Sequence, residues 1–293
     1  MTLFQGAGVA LVTPFSGGQV DYDSLAGLLD WQVSSGIDAI ISCGTTGEAS
    51  TLNDNEHINT VKFTVDTVKK RVPVIAGAGS NDTEHAVFMA GQLEKMGADG
   101  LLMVTPYYNK CTQKGLIRHY EKIADSVNIP IILYSVPGRT GVNISPSSVA
   151  YLSQHPNIAG IKEASGNMSQ VVEIARYVSD DFALYSGNDD MIIPLLSVGS
   201  IGAISTVANI IPNDTSAMVH KYLAGDMKRA MEMQLAMKPL IDAMFIEVNP
   251  IPVKAALSMM EKIKPEYRLP LCAPENLSLY EIMCQMKEYG LIK

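Results

Sequence analysis

The chain has 293 residues, with 22 Lys+Arg against 30 Asp+Glu, a formal net charge of −8, and 47% hydrophobic residues. So much apolar material excludes a disordered chain. The acidic balance, with no clustered Lys/Arg, excludes a binder that neutralises nucleic-acid phosphates.

Eight short apolar runs, rich in β-branched residues, are expected as strands. They are GVALV at 8–12, DAIIS at 38–42, PVIAG at 73–77 and GLLMV at 100–104, then PIILYSV at 130–136, IAGIKE at 158–163, FALYSG at 182–187 and IGAIS at 201–205. Continuous apolar character, without polar alternation, marks strands buried on both faces. Amphipathic stretches separate them. In 21–35 the side chains of Leu25, Leu28, Leu29 and Val33 share a face and Gly36 follows; 82–96 is followed by Gly97. Eight such strand–helix units predict an α/β fold, a (β/α)8 barrel, and the lack of GxGxxG after the first strand argues against a doubly wound sheet. Beyond about residue 225 the strand-like runs stop, nine of the sixteen methionines fall in 225–293, and 226–247 reads as one long helix. A barrel over 1–224 with a helical C-terminal domain over 225–293 is therefore expected. Its methionine stripe is either a binding groove or, more commonly, helix core or subunit packing.

The four cysteines (Cys43, Cys111, Cys272, Cys284) are far apart, so neither a disulfide framework nor a zinc ribbon is expected. The opening MTLFQGAGVALVTPF lacks the charged and long apolar regions of a secretion signal. No apolar run approaches the roughly 18 residues of a membrane span. A cytoplasmic protein with no membrane partner is the expectation.

Barrels of this kind carry their sites at the carboxyl ends of the strands. Lys162 ends the sixth strand and Tyr134 the fifth. A neutral amine there can add to a ketone and form a Schiff base, with a phenol as proton shuttle. The alternative for Lys162 is an ammonium that snorkels out of the mouth or pairs with Glu163; for Tyr134 it is a packed core residue. Thr45 and Thr46, between two glycines, offer hydroxyls and backbone N–H groups to a carboxylate, or are a plain turn with a helix cap. Arg139, in a Gly-flanked turn, could clamp a second carboxylate or form an interface salt bridge. The five histidines fall in expected helices or a loop, and Asp189-Asp190 has no third ligand, so neither a metal nor a cofactor is expected.

GTTGE at 44–48, TPYYN at 105–109, YSVPGRTG at 134–141, GIKEASG at 160–166, SGND at 186–189 and NPIPVK at 249–254 together resemble the dihydrodipicolinate synthase family of pyruvate-dependent class I aldolases. The resemblance spans nearly the whole chain. It implies a lyase of lysine and diaminopimelate biosynthesis that condenses pyruvate with L-aspartate 4-semialdehyde. Lys162 would be the Schiff-base lysine, with Tyr134, Thr45 and Tyr108 as proton relay. Tyr108 would come from the adjacent subunit of a dimer, within a tetramer built as a dimer of dimers. Thr46 and the backbone at Ile204 would hold the pyruvate-derived portion, Gly187 would leave room for it, and Arg139 would orient the semialdehyde carboxylate. A lysine-binding site near His57, Asn81 and Tyr107 is also implied, but Ala49, Asp54 and His85 depart from its feedback-inhibited forms, so weak or absent inhibition is expected. Two rivals stand beside this: a sugar-acid aldolase related to N-acetylneuraminate lyase, lacking the arginine of that turn, and a non-catalytic carboxylate-binding barrel.

Overall fold

The computed structural model describes residues 2–293. Its strands, in chain order, are β1 (Gly6–Ala10), β2 (Phe15–Ser16), β3 (Gln19–Val20), β4 (Ala39–Ser42) and β5 (Val74–Gly77), then β6 (Gly100–Val104), β7 (Ile131–Ser135), β8 (Ile158–Glu163), β9 (Ala183–Ser186) and β10 (Gly202–Ser205). All but β2 and β3 form one closed parallel barrel, in the order β1-β10-β9-β8-β7-β6-β5-β4, with β4 pairing back onto β1. Successive side chains along a strand face opposite ways. Ile41, Ile75, Leu102, Ile132, Tyr134, Tyr185 and Ile204 gather in one small cluster. The alternate residues Ile131, Leu133 and Ile161 pack in a larger cluster with helix residues such as Leu116, Ile123 and Ile174. Both faces are dry, which is why the strands read as unbroken apolar runs.

The expected helices form with local stop signals in place. Residues Tyr22–Ser34 are capped by Asp21, whose carboxylate accepts from the Ser24 N–H, and Gly36 beyond the end has φ +82°. Residues Thr83–Lys95 are capped by Asp82. The long helix runs Met227–Met244, three residues short of the expected end, and is followed by Ile251–Met259 and Asn276–Tyr289. Met237, Met244, Val253, Ile282 and Met286 share a core with Val9, Leu25 and Ile40, so apolar packing runs unbroken from barrel to C-terminal helices. Met237 and Met244 of the methionine stripe are thus core and Met233 is half-buried, while Met227 and Met231, with Leu235, stay exposed.

Two features depart from expectation. The first strand spans 6–10 rather than 8–12. Leu11 and Val12 are buried, but the Val12 N–H donates to Asn209 Oδ1 instead of a strand neighbour. Hydrophobicity reports burial, not ladder hydrogen bonding. The β2–β3 hairpin was not anticipated: Gly17 and Gly18, at φ +61° and +78°, make its two-residue turn. Among the described residues no helix is long and apolar enough to cross a membrane.

Candidate active site

Tyr134 and Lys162 are direct partners in the parallel ladder between β7 and β8, so their side chains face the same way, into the barrel. Both are 6% exposed, and Lys162 Nζ sits 4.3 Å from the centre of the Tyr134 ring. Among the described residues Lys162 Nζ has no hydrogen-bond or ion-pair partner, and the Tyr134 hydroxyl has no hydrogen-bond partner. The pairing of Lys162 with Glu163 does not occur. Glu163 is the next residue along the strand and points outward, where its carboxylate accepts from the Ser165 N–H at 3.1 Å and Gln170 Nε2 at 2.9 Å. Burial pushes the Glu163 carboxyl above its ordinary value, opposed by those bonds.

Gly187 lies against this lysine. A Cβ there would meet Ala164 Cβ at 2.7 Å and Lys162 Cε at 3.0 Å, so the missing side chain leaves room for Lys162 itself. Ile204 is buried in the same inner cluster as Tyr134. The Asp189-Asp190 pair is not a cation site: Asp190 is exposed, and the Asp189 carboxylate accepts from the N–H groups of Thr206 (3.0 Å) and Val207 (2.8 Å). Burial raises the Asp189 carboxyl, and the Lys162 charge is among the influences that lower it.

Tyr134 lines a cavity of about 420 Å³, together with Gly44, Thr45 and Arg139 among others, whereas Lys162, Thr46, Gly187 and Ile204 are not among its lining residues. Arg139 sits on a single helical turn, Pro137–Thr140, that follows β7 directly. The turn after β4 holds two non-glycine residues at positive φ, Cys43 and Glu48, both at +53°. Such strained backbone persists where its surroundings hold it. Here Thr13 Oγ1 donates to the Gly47 carbonyl at 2.7 Å, and Lys254 Nζ donates to Glu48 Oε1 at 2.5 Å. Thr46 accepts at Oγ1 from Asn249 Nδ2, at 2.9 Å. Neither Asn249 nor Lys254 was assigned a role from sequence, although both lie in the NPIPVK motif. The one available signal was a lysine inside an apolar helical run.

The same cavity is also lined by Ser50, Asp54, His57, Ser80, His85 and Tyr107. His57 Nε2 is 2.8 Å from the Gly77 carbonyl, and burial pushes the ring's protonation below its ordinary range. Asn81 Nδ2 donates to the Tyr107 carbonyl at 3.2 Å. His85 Nε2 lies 3.1 Å from Asp54 Oδ1. Tyr108 is set apart from the rest: it is 90% exposed, at φ +70°, and does not line the cavity of its own chain.

The family model for the Dihydrodipicolinate synthetase family matches residues 3–288. The chain is 52% identical to a 4-hydroxy-tetrahydrodipicolinate synthase of Acetivibrio thermocellus over 291 residues, 99% of each chain. Among solved structures it is similar to a dihydrodipicolinate synthase from Thermotoga maritima, with TM-score 0.97 and 41% identity over 99% of this chain and 100% of that one. It is also similar to the Acinetobacter baumannii enzyme solved in complex with pyruvate, with TM-score 0.96 and 40% identity over 98% and 99% of the two chains.

Proposed function

The chain belongs to the dihydrodipicolinate synthetase family, and from that premise we propose that it is a lyase condensing pyruvate with L-aspartate 4-semialdehyde to 4-hydroxy-tetrahydrodipicolinate, in the biosynthesis of diaminopimelate and lysine. The observation that carries this reading is the unpaired Lys162 amine, buried against Tyr134, which lines the same cavity as Arg139. An amine without an ion-pair partner is available as a nucleophile once it gives up its proton.

Lys162 Nζ adds to the C2 carbonyl of pyruvate, and loss of water leaves an iminium. This cation draws electrons from the adjacent methyl group, so loss of a C3 proton gives an enamine. The enamine carbon attacks the aldehyde and a new C–C bond forms, with the aldehyde oxygen taking a proton to become the hydroxyl. The amino group of the added piece then attacks the iminium carbon, closes the ring and expels Lys162 as the free amine. Tyr134, whose hydroxyl has no competing protein partner, moves protons at these steps, with Thr45 as the next member of the relay. The Gly44–Glu48 turn takes the pyruvate carboxylate: the backbone N–H groups of Thr45 and Thr46 have no protein acceptor among the described residues. The backbone at Ile204 completes that side.

Tyr108, exposed in one chain, fits the same relay if a second copy receives it, so the working unit is a homodimer within a tetramer. The site is cytoplasmic and uses no metal or organic cofactor. A coupled assay requiring both substrates tests the reaction; no product from the pair, with pyruvate and semialdehyde each supplied, would reject it.

Arg139 separates the two half-reactions. Arg139→Ala should leave borohydride trapping of pyruvate intact, while kcat/KM for the semialdehyde falls about 10²-fold, the scale of one lost charge-assisted clamp. Equal losses in both halves would make Arg139 a structural residue only.

Lysine is expected to inhibit weakly or not at all. In the outer part of the cavity Asp54, its one lining carboxylate, is already engaged by His85, leaving a lysine ammonium without a free anion. Titrating the steady-state rate with lysine checks this, and half-inhibition well below millimolar would contradict it.

A further inference from the structure

Asn249 precedes the helix Ile251–Met259, far in sequence from the strand ends, yet it touches two of the groups assigned to substrate. Its Nδ2 donates to Thr46 Oγ1 at 2.9 Å, and its backbone carbonyl accepts from Arg139 Nη2 at 3.2 Å. We propose that Asn249 is a positioning residue for the carboxylate sites: its side-chain amide directs the Thr46 hydroxyl proton towards the pyruvate carboxylate, and its carbonyl seats the Arg139 guanidinium. The inference rests on the Schiff-base reading above and adds a residue to it.

The reasoning starts from what a hydroxyl has to offer, one proton and two lone pairs. The Asn249 N–H fills one lone pair of Thr46, so the Thr46 proton is not spent on Asn249 and is left for another acceptor. Within the protein the other polar neighbour of that hydroxyl is Thr206 Oγ1, at a long 3.4 Å, where either oxygen can be the donor. A substrate carboxylate is the stronger acceptor. Replacing the amide by an acceptor-only group would reverse the bond and turn the Thr46 proton away from the substrate.

A second observation argues that Asn249 is not placed for stability. The residue is 6% exposed, and its Oδ1 is buried with no hydrogen-bond partner among the described residues. An orphaned buried acceptor destabilises a fold. Only the donating half of this amide is used, and it is used on Thr46. Five residues on, Lys254 holds Glu48, so the 249–254 segment grips the Thr45–Glu48 turn at two points. Lys254 fixes the backbone of that turn; Asn249 aims its hydroxyl.

The test is borohydride trapping of labelled pyruvate, titrated with pyruvate, in the full-length protein. Asn249→Asp is nearly isosteric but cannot donate, and it is expected to raise the half-saturating pyruvate concentration about 30-fold or more. Asn249→Ala should raise it roughly three- to tenfold. In a Thr46→Val background Asn249→Ala should add less than about twofold, because the contact it removes is already gone. A residue that merely supported the fold would lower the trapped plateau and leave half-saturation where it was. If Asn249→Asp does not accumulate folded, the Ala variant and its Thr46→Val cycle carry the same decision. Wild-type trapping with unshifted half-saturation in Asn249→Ala, or an equal shift with and without Thr46, overturns the inference alone. No trapping in the wild type overturns the Schiff-base reading and this inference with it.

Discussion

Lys162→Ala is expected to abolish borohydride-dependent incorporation of pyruvate and to lower kcat by roughly four orders of magnitude or more, since covalent catalysis has no substitute route through the same site. The fold should survive. Lys162 Nζ takes part in no hydrogen bond or ion pair among the described residues, so truncation removes only a side chain packed against the Tyr134 ring. Far-ultraviolet dichroism and the unfolding midpoint should stay close to those of the wild type. Lys162→Arg keeps the positive charge and much of the bulk, but a guanidinium does not form the imine; it should be as inactive as the alanine variant. Residual turnover near wild-type levels in either variant would remove Lys162 from the chemistry.

The second large effect falls on stability and comes from the other buried lysine. Lys254 and Glu48 form an ion pair at 2.5 Å, with side-chain exposures of 0% and 1%. The Phe15 ring lies 4.3 Å and the Tyr267 ring 5.3 Å from the Lys254 ammonium. Burial pushes this ammonium below its ordinary value, and the Glu48 charge opposes the shift. Glu48 Oε2 has no partner among the described residues. Lys254→Met would therefore strand a buried carboxylate, at a cost of about 3–5 kcal/mol, a large part of a usual total of about 5–15 kcal/mol. Adding Glu48→Gln removes the stranded charge and should recover part of the loss. Denaturant unfolding at constant m-value measures both. A single-variant loss under about 1 kcal/mol would show that the pair is solvated or replaceable.

The barrel was legible because its strands are buried on both faces, and continuous apolar runs such as 130–136 and 158–163 mark that environment directly. Lys162 and Tyr134 were legible for a related reason: a polar side chain closing an apolar strand is conspicuous, and strand ends form the mouth. Adjacent strands then place them together without any further signal. The hairpin Phe15–Val20 escaped because two-residue strands carry too little pattern, although Gly17-Gly18 held the turn chemistry. The Asn249–Thr46 and Lys254–Glu48 contacts join residues more than 200 positions apart. Nothing local encodes such pairings; they follow from how the C-terminal helices pack onto the barrel. In sequence Asp189 is one of an acidic pair without a third metal ligand, yet it binds two backbone N–H groups of the turn after β10, a fact only tertiary packing supplies.

The two lysines also frame the most direct test. Both are buried, but one amine is free beside Tyr134 and the other is locked to a carboxylate. Wild-type protein is incubated with labelled pyruvate and borohydride, digested, and the labelled peptide sequenced by mass spectrometry. The account predicts a single reduced adduct, on Lys162. Label on Lys254 or another lysine, or no label at all in folded protein, would contradict it.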